Sequence, residues 1–147
     1  MITETGTIIA GTLSDNIAFF EDTVSLAGAT PTTNQIGTLG FFTANTSFAL
    51  NDGRSLAVSG SITGDAITIV DAGALTVPGN ISGATVSLTA NSIAIPGLLG
   101  GASANLIART GDITATGRLT AFSISSRLTS PLERKRLMAT FNFPGGK

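Results

Sequence analysis

The chain has no cysteine and no histidine in its 147 residues. Without cysteine there is no disulfide, no thiolate nucleophile and no thiolate metal site. Without histidine the commonest general base and the commonest transition-metal ligand are missing. Charge is scarce as well: Asp, Glu, Lys and Arg make up 12% of the residues, about half the share usual in globular domains. No apolar run approaches the roughly 18 residues that a membrane-spanning helix needs, so insertion in a membrane is not expected. Met1-Ile2-Thr3-Glu4 opens on an acid rather than on a basic segment followed by an apolar stretch, so no signal peptide is read here. The chain is expected either not to be exported alone or to be a piece of a larger protein.

The gap left by charge is filled by Thr, Ser, Asn and 18 glycines, while apolar residues still make up 42%. Ala, Ile, Leu and Val are spread evenly along the chain, which suits many short half-buried strands better than a few long helices. What charge there is divides unevenly. Residues 1–126 carry eight acids (Glu4, Asp15, Glu21, Asp22, Asp52, Asp65, Asp71 and Asp112) against Arg54, Arg109 and Arg118. Residues 127–147 carry Arg127, Arg134, Lys135, Arg136 and Lys147 against Glu133 alone. One basic cluster at 133–136 is far from the basic face that nucleic acid requires, so it reads as a solvated tail and no nucleic-acid partner is expected.

The strongest signal is internal repetition. Residues 55–69 fall on residues 74–88 at a constant offset of 19: Leu56 on Leu75, Val58 on Val77, Ile62 on Ile81, Ile67 on Val86 and Ile69 on Leu88, with Gly60 on Gly79 and Gly64 on Gly83. The same offset carries Phe48 and Leu50 onto Ile67 and Ile69. Further on, Ile93 and Ile95 resemble the Leu75/Val77 strand with a slip of one residue, and Ile113, Leu119 and Ile124 continue less regularly. Near the start, Gly11-Thr12-Leu13 returns as Gly37-Thr38-Leu39 after a longer interval. Within each unit, apolar residues alternate with Thr, Ser or Ala, the period of a strand, and Gly or Pro-Gly turns the chain between strands. A single unit of about 20 residues cannot bury its own apolar face, so units must stack. The expected fold is therefore all-β, a parallel β-helix of about six coils and roughly 30 Å in length. The repeat domain is expected over residues 1–126, with a basic non-repeat tail over 127–147. Pro131 would sit in the first turn of a capping helix, or the tail is disordered. A β-sandwich shares the short strands and Gly-rich turns but does not demand a fixed offset.

Residues 34–62, with Gly37-Thr38-Leu39-Gly40-Phe41-Phe42-Thr43-Ala44-Asn45, and residues 74–90, with Leu75-Thr76-Val77-Pro78-Gly79-Asn80-Ile81-Ser82-Gly83, resemble the degenerate repeats of filamentous-haemagglutinin-like passenger proteins. The likeness covers about residues 6–126. It implies a right-handed parallel β-helix, export through an outer-membrane β-barrel transporter in a two-partner secretion system, and an adhesive role at the bacterial surface or outside the cell. Host-surface or carbohydrate ligands are implied as partners. The family's signal peptide and its secretion domain with Asn-Pro-Asn-type motifs have no counterpart here, so the chain reads as a repeat segment or a truncated frame.

Candidate chemistry is thin. No catalytic residue, cofactor site or metal site is expected, and the chain is not read as an enzyme. Polysaccharide-cleaving β-helices need carboxylates clustered on one face with a basic residue or calcium. Asp52 lies about one coil before Asp71. Stacked, the two would hold carboxylates about 5 Å apart. Asn51-Asp52-Gly53 and Asp71-Ala72-Gly73 also have the composition of turns, and turn chemistry is the expectation. Convergence of Asp52, Asp65, Asp71 and Arg54 in one groove would favour the carbohydrate-active alternative. Phe19-Phe20 and Phe41-Phe42 are adjacent rings that a strand would point to opposite faces. Phe20 and Phe42 are the candidates for an exposed sugar-stacking or partner-binding surface. Asn34 and Asn91 are candidates for a structural asparagine ladder.

Overall fold

The computed structural model of the protein describes residues 1–15, 21–28, 30, 34–121, 123–128 and 138–139. In chain order the strands are β1 (Ile2–Thr3), β2 (Ile9–Leu13), β3 (Glu21–Leu26), β4 (Gln35–Leu39), β5 (Phe42–Asp52), β6 (Leu56–Val58), β7 (Ser61–Thr63), β8 (Ala66–Asp71), β9 (Ala74–Thr76), β10 (Asn80–Ala90), β11 (Ser92–Ile95), β12 (Leu98–Ala108), β13 (Ile113–Ala115), β14 (Arg118–Leu119), β15 (Ser123–Leu128) and β16 (Met138–Ala139). Every pairing between them is parallel. They form a β-solenoid of about six turns. One sheet of seven strands runs β16-β13-β11-β9-β6-β4-β2; the other, of nine, holds β1, β3, β5, β7, β8, β10, β12, β14 and β15. Parallel strands cannot be joined by tight hairpins. Here the crossover is the rest of the coil. Among the described residues no helix is long and apolar enough to cross a membrane.

The offset of 19 is the register of the central coils. Leu56 pairs with Leu75, Ile62 with Ile81, Phe48 with Ile67 and Ile67 with Val86. The next coil is one residue shorter, so Val86 meets Ala104 and Leu75 meets Ile93. The first coil is longer: Thr12 meets Thr38 and Leu13 meets Leu39. Inward alternation turns these pairings into buried columns. One is Phe42, Ile62, Ile81, Leu99 and Leu119; another is Leu26, Leu50, Ile69, Leu88 and Leu106. Together they make one continuous apolar core along the axis.

Glycine is required where coils touch. A Cβ at Gly79 would overlap the Gly60 carbonyl oxygen, one at Gly97 the Gly79 oxygen, and one at Gly117 the Gly97 oxygen. Side chains are excluded from this corner because backbones press together at strand spacing.

Pairing passes residue 126. Arg127 and Leu128 still pair with Ile107 and Ala108, and Met138–Ala139 pairs with Thr114–Ala115. The capping helix expected from Pro131 lies outside the described residues, as does the basic cluster 133–136.

Candidate functional site

Where β5, β7 and β10 bend, a groove of about 370 Å³ crosses three coils. Its row of hydroxyls is built by register: Thr43 pairs with Thr63, and Thr63 with Ser82. Ala44, Asn45, Gly64, Asp65, Gly83 and Ala84 complete the lining. A Cβ at Gly83 would run into the Gly64 carbonyl oxygen, so the floor of the bend has no side chain there. The Asn45 amide donates to Asp22 Oδ1 at 3.4 Å. Asp65 is exposed and is the single carboxylate of the lining. Such a surface offers hydroxyl, amide and carboxylate partners to a polar ligand lying along the axis. It does not hold the paired carboxylates that glycoside cleavage normally uses.

The four residues that would have marked a carbohydrate-active cleft do not converge. Asp52 and Asp71 stack in register, but both are fully buried. Arg54 is exposed beside that corner, and Asp65 lies in the hydroxyl groove. Phe20 lies outside the described residues. Phe42, expected at the surface, is corrected: it is 5% exposed and packs on Phe48 with ring centroids 5.3 Å apart. The exposed ring is Phe41, at 64%. The corner at Gly40 resets the alternation. Leu39 and Gly40 are both buried, so the even-numbered residue of the pair turns inward.

The buried corner is a feature the sequence only hinted at. Asn34, Asp52 and Asp71, one per coil, are its fully buried polar residues. Asn34 Oδ1 accepts the Ile8 N–H at 2.8 Å and Asp52 Oδ1 accepts the Ile36 N–H at 2.7 Å, so each side chain staples its coil to the one before. The aspartates also close Asx turns: Asp52 Oδ2 accepts the Arg54 N–H at 3.2 Å, and Asp71 Oδ1 the Gly73 N–H at 2.7 Å. Asn34 and Asn91 do not stack on each other. Asn34 donates to Glu4 Oε2 and to the Leu26 carbonyl, whereas Asn91 donates to the Ala72 carbonyl. Arg109 donates to the Asp71 carbonyl at 2.7 Å.

Burial is the largest influence on both aspartates and disfavours their charged form. It raises Asp52 despite the N–H groups of Ile36, Arg54 and Gly53 and the Arg54 charge. It pushes Asp71 up to about 6, with the Asp52 charge adding to the rise and the Gly73 and Leu56 N–H groups and Arg109 opposing it. Leu56 faces Asp71 as Ile36 faces Asp52, but it acts on the carboxyl as a nearby dipole: Asp71 Oδ2 has no hydrogen-bond partner.

Comparison of the chain with family models, with curated proteins and with solved structures gives no match.

Proposed function

We propose that the protein is a structural and adhesive segment of an exported bacterial surface protein of the filamentous-haemagglutinin-like class. The observation that carries this reading is the parallel solenoid of about six turns, kept in register by apolar columns. A rigid rod of this kind acts by presentation. It needs no reacting groups, only a shape that survives outside the cell and a surface that can be touched. The repeat phrases at 34–62 and 74–90 supply the family likeness. In this reading the outer-membrane transporter is the export partner and the surface of the bacterium, or its surroundings, is the location.

Adhesion and cleavage are separated by one experiment. Beads coated with the purified chain are offered host-type glycan surfaces, and the same glycans are incubated with the chain in solution. The reading expects retention of beads and no new reducing or unsaturated ends. Steady release of shortened glycan overturns it in favour of a carbohydrate-active enzyme.

A further inference from the structure

Asp52 and Asp71 are in-register partners on neighbouring parallel strands, and neither is exposed to solvent. Two carboxylates side by side away from water repel each other unless one of them carries a proton. Their surroundings are unequal. Asp52 has a donor on each oxygen, the Ile36 N–H on Oδ1 and the Arg54 N–H on Oδ2. Asp71 has the Gly73 N–H on Oδ1 and the Leu56 N–H as a nearby dipole, and its buried Oδ2 has no hydrogen bond. A buried oxygen without a donor is costly as an anion and is relieved by binding hydrogen itself.

The charged groups facing this pair are few. Arg54 acts on Asp52, and Arg109 acts on Asp71 while donating to its carbonyl oxygen. From the coil below, the neighbouring rung is Asn34, which is uncharged and passes its amide on to Glu4 Oε2 at 2.8 Å. The rung formed by Asn34 is thus neutral by composition. The two above it are made of a residue that is neutral only when protonated.

We propose that Asp52 and Asp71 share one proton in mild acid, carried on Asp71 Oδ2, and that this proton locks the corner where the two sheets meet. The solenoid is then a pH-sensitive rod, firmer in mild acid than above neutrality. Burial first, and the Asp52 charge second among the raising influences, hold Asp71 at about 6 against 3.8 for the ordinary carboxyl. The folded chain therefore binds the proton more tightly than the unfolded chain. The stability it brings is fully present below 3.8 and is lost as pH rises through about 6. Over that window the folding equilibrium constant changes by a factor on the order of 10². Asp52, also raised, shifts in the same direction.

The test is denaturant unfolding of the full chain between about pH 4 and about pH 8, for the parent, D71N and D65N. The parent is expected to lose most of this stability in the lower half of the range, as pH rises from about 4 to about 6, and to level off above it. D71N is expected to flatten the profile and to exceed the parent above neutrality, because an amide supplies without a proton what Asn34 supplies one coil below. D65N, in the open groove, is expected to keep the parent's profile. A D71N profile as steep as the parent's, or a parent that gains stability with rising pH, overturns the proposal. If D71N does not fold, the Asp71 carboxyl is followed by NMR titration in the parent, and an ordinary carboxyl midpoint overturns it equally. Melts with calcium and with chelator at the alkaline end complete the set. Indifference is expected, and calcium stabilisation that D71N abolishes would mean that a cation, not a proton, is shared.

Discussion

The central coils and the first coil are made of the same kinds of strand but are not equally finished. Between Leu56 and Ala108 every inward apolar rung has a rung above and below it, and Ile62, Ile69, Leu75, Ile81 and Leu88 are at most 1% exposed. In the first coil Ile2, Ile8 and Leu13 are only partly buried, and with Leu26 and Phe42 they surround an apolar cavity of about 310 Å³. The difference lies in stacking rather than in composition. A coil of a solenoid is stabilised by its neighbours, so a coil with one described neighbour keeps part of its apolar face open.

Mutations at matched positions sharpen this contrast. Leu88→Ala removes a fully buried side chain from the middle of a column and is expected to cost about 2–5 kcal/mol, read by denaturant unfolding. Leu13→Ala, beside the cavity, is expected to cost clearly less; equal costs would mean the first coil is as tightly packed as the rest. Gly79→Ala puts a methyl group into the Gly60 carbonyl and is expected to cost about 1–3 kcal/mol. Gly11→Ala, with nothing within 4 Å of its added Cβ, is expected to stay within about 0.5 kcal/mol of the parent. Asn91→Ala removes the bond to the Ala72 carbonyl and is expected to cost about 0.5–1.5 kcal/mol. Amide exchange gives an independent reading: β8 and β10 are expected to exchange only with global unfolding, while β1 and β2 open locally and earlier.

Much of the fold was legible in the sequence because a solenoid writes its contacts as a repeat. The pairings of Leu56 with Leu75 and Ile67 with Val86, and the long interval from Thr12 to Thr38, all follow from spacing. So does the close contact of Gly60 and Gly79. What spacing does not tell is which way a side chain faces after a corner. Gly40 resets the alternation, so Phe42 rather than Phe41 enters the core. The aspartates of Asn51-Asp52-Gly53 and Asp71-Ala72-Gly73 do close turns, as their composition suggests. Their burial is not written locally. It arises because the Ile36 N–H of the coil below lies within reach of Asp52, and because the next coil covers Asp71. The hydroxyl groove was missed for a related reason. Thr43, Thr63 and Ser82 are unremarkable one at a time and become a row only when three coils are stacked. The offset of 19 carries Thr63 onto Ser82, but Thr43 meets Thr63 at an offset of 20, so the repeat alone does not align the row.

The in-register stack itself can be tested covalently, since the chain has no cysteine of its own. Thr68 and Ser87 are outward-facing register partners on β8 and β10, and strands about 4.8 Å apart bring such a pair within the Cα separation a disulfide tolerates. The double variant Thr68→Cys with Ser87→Cys is expected to close an intramolecular disulfide on mild oxidation, whereas Ala66→Cys with Ser87→Cys, two residues out of register, is expected to stay reduced. Bridging of the second pair and not the first would contradict the parallel register on which the account rests.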